Sequence, residues 1–105
     1  MGSQEMRKKI DETLDELLDR VEAIDNEALD VETSEGIVTI EFEDGVKLIV
    51  SRQSAADQIW LAEPRNGWKF DCKDGKWICE KNSKELFAMI ETLISEKLGQ
   101  TVKLH

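Results

Sequence analysis

The stretch from Val38 to Val50 constrains the fold more than any other, because its alternation admits one register. Val38, Ile40 and Phe42 alternate with Thr39 and Glu41, the pattern of a strand with one buried face. Asp44-Gly45 is a hairpin signal. A two-residue loop there would pair Phe42 with Lys47 and turn the lysine into the core. A three-residue loop, with Gly45 in the left-handed region, pairs Phe42 with Val46, Ile40 with Leu48 and Val38 with Val50. Burying an unpaired lysine is costly, so the second register is expected, with Lys47 and Ile49 facing outward.

The rest of the chain extends this pattern. Leu29, Val31 and Thr33 alternate with Asp30, Glu32 and Ser34 in an earlier half-buried strand, and Ser34-Glu35-Gly36 turns the chain. Residues 53–57 read as a connection. Gln58 to Ala62 reads as a short strand with Ile59 and Leu61 inward and Gln58 and Trp60 outward. Glu63 to Gly67 turns. Trp68 to Cys72 and Lys76 to Glu80 form a hairpin about Asp74-Gly75. A two-residue loop there puts Phe70, Cys72, Trp77 and Cys79 on one face and Lys69, Asp71 and Ile78 on the other.

Two segments carry helical spacing instead. Met6, Ile10, Leu14, Leu17, Leu18, Val21 and Ile24 form one apolar stripe over about residues 4–25, stopping near Asp25-Asn26. Leu86, Ile90, Leu93, Ile94 and Leu98 form a second, with Asn82 as N-cap, Glu85 closing a capping box and Gly99 as C-terminal cap. Thr101 to Leu104 reads as a last short strand. The expected class is α+β: a two-layer sandwich with both helices on one face of an antiparallel sheet, and the other face open to solvent.

The charge is lopsided. The chain has 105 residues, which fits one domain, and a net charge of -9. Residues 1–44 hold 4 basic and 15 acidic residues, whereas residues 45–105 hold 10 and 8. From Asp11 to Asp44 the only cation is Arg20. Phosphate binding draws on Lys and Arg, so nucleic acid is disfavoured as a partner; cations or a basic protein surface are the natural ones. No apolar run approaches a membrane span. Two cysteines make no disulfide scaffold, so a reducing compartment is the default. Met1-Gly2-Ser3 reads as a cloning remnant.

Three constellations bear groups capable of chemistry. Asp15, Asp19, Glu22 and Asp25 late in the first helix, with Asp30 and Glu32 on the strand that follows, are hard oxygen donors suited to iron and to Ca, Mn or Mg. A helix face and an exposed strand do not converge into a cage, so any cation binding should be weak, hydrated and unselective; a merely solvated coat is the alternative. The open sheet face should carry a patch around Trp60 with Gln53, Gln58, Lys69, Ile49, Ile78 and Asp71, and exposed Trp is enriched at interface hot spots. Cys72 and Cys79 face the core without a CxxC spacing or a nearby histidine, and His105 is the only histidine. Nothing in the residues argues for an enzyme.

At Gln58-Ile59-Trp60-Leu61-Ala62 the sequence resembles the frataxin family. Gly36 to Ile40, Ser51-Arg52-Gln53, Lys69-Phe70-Asp71 and Trp77-Ile78-Cys79 extend the likeness, the last being close to the bacterial, CyaY-like branch. Residues 5 to about 104 are covered. Ala23, Ser51 and Lys69 depart from the family pattern. The resemblance implies a frataxin-like sandwich and an iron-binding protein that modulates iron–sulfur cluster assembly on the cysteine desulfurase–scaffold complex. It implies iron, Fe2+ or Fe3+, on Asp19, Glu22, Asp25, Asp30 and Glu32, and docking through the sheet face at Gln53, Trp60 and Lys69. A monomer with iron-dependent oligomers is expected, in the bacterial cytoplasm, or in the mitochondrial matrix had a leader been removed.

Overall fold

The alternation about Asp44-Gly45 becomes the second hairpin of a six-stranded antiparallel sheet. The computed structural model describes residues 2–24, 27–34, 36–53 and 58–104, with side chains from Glu5 onward. Helix α1 (Gly2–Glu22) precedes β1 (Leu29–Ser34), β2 (Ile37–Phe42), β3 (Lys47–Gln53), β4 (Gln58–Ala62), β5 (Gly67–Lys73) and β6 (Lys76–Cys79), and α2 (Leu86–Leu98) follows. The strands lie in chain order, each paired with the next.

Both registers argued from parity are present. Val38 pairs with Val50 and Ile40 with Leu48. The Phe42 N–H donates to the Val46 carbonyl at 2.9 Å, and Gly45 has φ +89°. At the last hairpin Phe70 pairs with Cys79 and Cys72 with Trp77 around a two-residue loop. Asp74 and Gly75 both have positive φ, the mirror-image turn whose twist matches the flanking strands.

Both helices pack on one face. Ile10, Leu14, Leu17 and Val21 of α1 and Leu86, Met89, Ile90 and Ile94 of α2 are buried against Val38, Ile40, Phe42, Leu48, Val50, Ile59, Leu61, Phe70, Trp77 and Cys79. Among the described residues, no helix covers the opposite face. Trp77 donates its buried indole N–H to Thr13 Oγ1 at 2.9 Å, satisfying a polar group that burial would otherwise penalise. The cysteines are free thiols on the helix side, Cys79 buried and Cys72 half-buried.

Several expected boundaries differ. Helix α1 runs from Gly2 to Glu22 instead of about 4–25, with Ala23 and Ile24 in a turn; Gln53, expected in the connection, ends β3; Gly67 and Lys73 extend β5, and β6 stops at Cys79. Asp25-Asn26, Glu35 of the first turn, residues 54–57 of the connection and His105 lie outside the described residues. Helix α2 begins at Leu86, and Glu85 is itself the N-cap, its carboxylate accepting from the Phe87 and Ala88 N–H groups at 3.2 Å. The Cys79 N–H donates to the Lys84 carbonyl and Ile78 bridges to Glu85, so sheet pairing holds these residues extended and delays the helix. Asn82 caps only a local turn, accepting from the Lys84 N–H at 3.0 Å.

The segment Thr101 to Leu104 is not a strand. Val102 and Leu104 are buried, but their N–H groups donate to side chains of α2: Ser95 Oγ at 2.9 Å and Glu91 Oε2 at 2.8 Å. The alternation was real, but the tail packs on the helices instead of joining the sheet.

Candidate functional site

The acidic stretch divides into compensated and uncompensated carboxylates. Asp11 accepts from Arg52 at 3.0 Å, Glu16 from Arg20 at 3.2 Å, and Asp44 pairs with Lys97. The Lys97 hydrogen bond, with help from the Val46 N–H, holds the Asp44 carboxyl below its ordinary pKa. Among the described residues, no cation lies within ion-pair distance of Asp15, Asp19, Glu22, Asp30 or Glu32. All five are exposed. Asp25, the sixth expected ligand, lies outside the described residues. Among the described residues, these five candidates share their lack of a cationic partner with Glu12, Glu27, Glu41 and Glu43 of the same stretch.

Sheet parity decides how they are disposed. In β1, Val31 pairs with buried Ile40, so Leu29 and Val31 face the helices and Asp30 and Glu32 face the open side. Asp15, Asp19 and Glu22 are carried by α1 on the opposite side. The ridge therefore wraps around the free edge of β1 and has no single concave centre. Among the described residues no group of three or more His, Cys, Asp or Glu side chains is arranged to hold a metal ion. Such carboxylates can take up hydrated cations one or two ligands at a time.

The same parity joins this edge to the tryptophan patch. Across the open face, Glu32 pairs with Thr39, Thr39 with Ile49 and Ile49 with Ala62. In the next row, Ile37 pairs with Ser51, Ser51 with Trp60 and Trp60 with Lys69. Ile37, Ile49 and Trp60 are exposed by 40%, 37% and 39%, and no other large hydrophobic described is so open. They form one apolar triangle on three adjacent strands, Ile37 and Trp60 in one row and Ile49 in the next. Asp30, Glu32 and Glu41 border it on one side and Lys69 on the other.

The patch differs from expectation at three residues. Gln58 does lie on the open face, paired with Gln53, yet it is 8% exposed. Its amide donates to Asp71 Oδ1 at 2.7 Å and to Glu80 Oε2 at 3.5 Å, so its N–H donors are engaged inside the protein. Ile78 is half-buried, with its backbone covered by the bridge to Glu85. Ile37 was missed, although one position of parity before Val38 is enough to turn it outward.

A helix-backed antiparallel sheet with an acid-lined edge and an open apolar centre is the frame of a frataxin-like protein. The sequence matches the family model described as a frataxin-like domain over residues 1–100, and the chain belongs to the frataxin family. It is 40% identical over 85 residues to the iron-sulfur cluster assembly protein CyaY of Tolumonas auensis, covering 79% of this chain and 82% of that protein. The structure is similar to frataxin from Psychromonas ingrahamii, studied for stability modulation within the CyaY family, with a TM-score of 0.92, 28% identity, and 100% and 99% of the two chains covered. It is also similar to trimeric frataxin from the yeast Saccharomyces cerevisiae complexed with ferrous iron, at a TM-score of 0.78, 28% identity, and 88% and 87% coverage. No described helix is long and apolar enough to cross a membrane.

Proposed function

We propose that the chain is an iron-binding regulator of iron–sulfur cluster assembly, holding Fe2+ or Fe3+ on its acidic ridge and docking through the open sheet face onto the cysteine desulfurase–scaffold complex. The observation that carries this reading is the continuity of the two surfaces: Glu32 and Ile49 lie in one cross-strand row, and Ile37 and Trp60 in the next. A partner covering that face meets an apolar centre and an anionic border, which suits a basic, partly apolar surface. The assembly role of the CyaY relative and the ferrous complex of the yeast relative support the choice of partner and ion.

In this reading the protein acts by binding, not catalysis, in the bacterial cytoplasm, as a monomer that iron can assemble further; the trimeric yeast relative supports the existence of oligomers. Titration with Fe(II) should move amide signals at 15–24, 30 and 32. An unmoved spectrum would remove the metal half of the proposal. Trp60→Ala should weaken capture of the desulfurase–scaffold complex. Catalytic, saturable oxygen consumption with Fe(II), lost in Asp19→Ala and Glu22→Ala, would overturn the non-enzymatic assignment.

The divergence of the carboxylates around the β1 edge favours a second reading, a metal-independent acidic adaptor for a basic protein surface. Salt-sensitive capture that a chelator leaves intact would select it.

A further inference from the structure

Of the five glycines from Gly36 onward, Gly67 alone has a backbone that does not require glycine. Gly36, Gly45, Gly75 and Gly99 have positive φ and open space where a Cβ would stand. Gly67 has an ordinary φ in β5, where any residue could follow the turn closed by the Glu63 N–H on the Asn66 carbonyl at 2.9 Å. Its side-chain position is instead taken. A Cβ there would lie 2.8 Å from Trp60 Nε1, 3.5 Å from Cε2 and 3.6 Å from Cζ2. Ala62 pairs with Gly67 and Trp60 with Lys69, so Trp60 and Gly67 are diagonal neighbours on the open face, within reach of an aromatic ring. A glycine inside a strand marks such a close approach.

We infer that Gly67 is a positioning residue for docking: its missing Cβ lets the indole of Trp60 lie down over β5, fixing the side chain at the centre of the face. This rests on the docking role proposed for Trp60. Indole and glycine belong together physically. The ring covers backbone that glycine leaves bare, and the backbone limits the rotamers of a ring that is 39% exposed and would otherwise swing freely. Ordering the side chain in advance lowers the cost of ordering it on association. Alanine at 67 suits a strand at least as well as glycine, so stability and docking should separate.

The experiment compares wild type, Gly67→Ala, Trp60→Ala and the double variant for melting midpoint and for affinity to the purified cysteine desulfurase–scaffold complex. Expected is a midpoint in Gly67→Ala equal to or above wild type, with affinity down roughly tenfold, the scale of a displaced hot-spot side chain. In the Trp60→Ala background Gly67→Ala should change nothing, because both act through one indole. Full affinity in Gly67→Ala alongside lost affinity in Trp60→Ala overturns this inference and leaves the docking role standing. Full affinity in Trp60→Ala overturns both. A further loss on adding Gly67→Ala to Trp60→Ala assigns Gly67 a structural role only and overturns the inference. Should Gly67→Ala not fold, the wild-type spectrum decides: the Gly67 α-protons should carry a ring-current shift that Trp60→Leu abolishes, and random-coil shifts in both proteins would refute the contact.

Discussion

Arg20, the sole cation between Asp11 and Asp44, donates from Nη1 to the carbonyl oxygen of Leu104, 84 positions further along the chain. Its Nη2 reaches Glu16 Oε1 at 3.2 Å, and its guanidinium carbon stands 5.5 Å from the centre of the Phe87 ring. One side chain thus ties α1 to α2 and to the C-terminal tail. A planar, five-donor group can serve several acceptors at once, which an ammonium cannot do in the same geometry. Arg20→Ala should cost about 2 kcal/mol, from a charge-assisted bond to a carbonyl plus the ring contact. Arg20→Lys should recover only part of it. Denaturant unfolding of the three proteins measures both.

The uncompensated ridge predicts an unusual response to salt. Residues 1–44 carry an excess of 11 negative charges, and five exposed acids of the ridge have no cationic partner among the described residues. Mutual repulsion opposes the compact state and is screened over roughly 10 Å at 0.1 M salt. Raising sodium chloride should therefore raise the melting temperature. Replacing Asp19 with Asn and Glu22 with Gln should raise it at low salt and flatten the dependence. A melting temperature indifferent to salt in the wild type would show that the ridge is not under charge strain.

The Asp44–Lys97 pair predicts a small effect with a definite sign. The Asp44 carboxyl is lowered in the folded protein, chiefly by the Lys97 hydrogen bond. A lowered carboxylate contributes stability above its unfolded pKa, and that contribution is lost as pH falls through the folded value. Asp44→Asn keeps an acceptor for the Val46 N–H, now bonded at 3.0 Å, and removes the charge facing Lys97. Its loss of stability should be present at neutral pH and should fade in acid, below the ordinary carboxylate range. Because the pair is exposed, the effect should also shrink in high salt.

Thr13 tests the core. Its hydroxyl accepts the Trp77 indole N–H and donates to the Lys9 carbonyl at 2.7 Å. Thr13→Val keeps the shape and strands a donor on a side chain only 5% exposed. The expected cost is about 1–3 kcal/mol, since an unmade bond leaves the full desolvation penalty. Thr13→Ser should restore most of it. Thermal unfolding of the pair of variants decides.

Much of the sheet was legible because its information is local. A period of two and the length of a turn set which residues face each other, so Val38–Val50 and Phe70–Cys79 follow from a dozen consecutive residues each. The same parity placed Trp60 and Ile49 outward and would have added Ile37. Helical stripes were equally plain, since tertiary packing needs them whatever the topology. The departures come from groups whose partners are distant in sequence. Glu85 caps α2 because its backbone is held by β6, and the tail at Val102 and Leu104 finds its hydrogen bonds on α2 and Arg20 instead of on a strand.

By itself, then, the sequence determined an antiparallel sheet with two helices on one face, an acid-rich first half and an outward tryptophan. Only the tertiary structure decided what those acids and that tryptophan amount to. Arg52, Arg20 and Lys97 fall against Asp11, Glu16 and Asp44, leaving Asp15, Asp19, Glu22, Asp30 and Glu32 among the described acids without a cationic partner. Asp71 and Glu80 converge on Gln58 and withdraw it from the surface, while Gly67 opens a seat for Trp60. Charge neutralisation, burial and close approach depend on distances between strands that only the folded sheet brings together, and no periodicity along the chain encodes them.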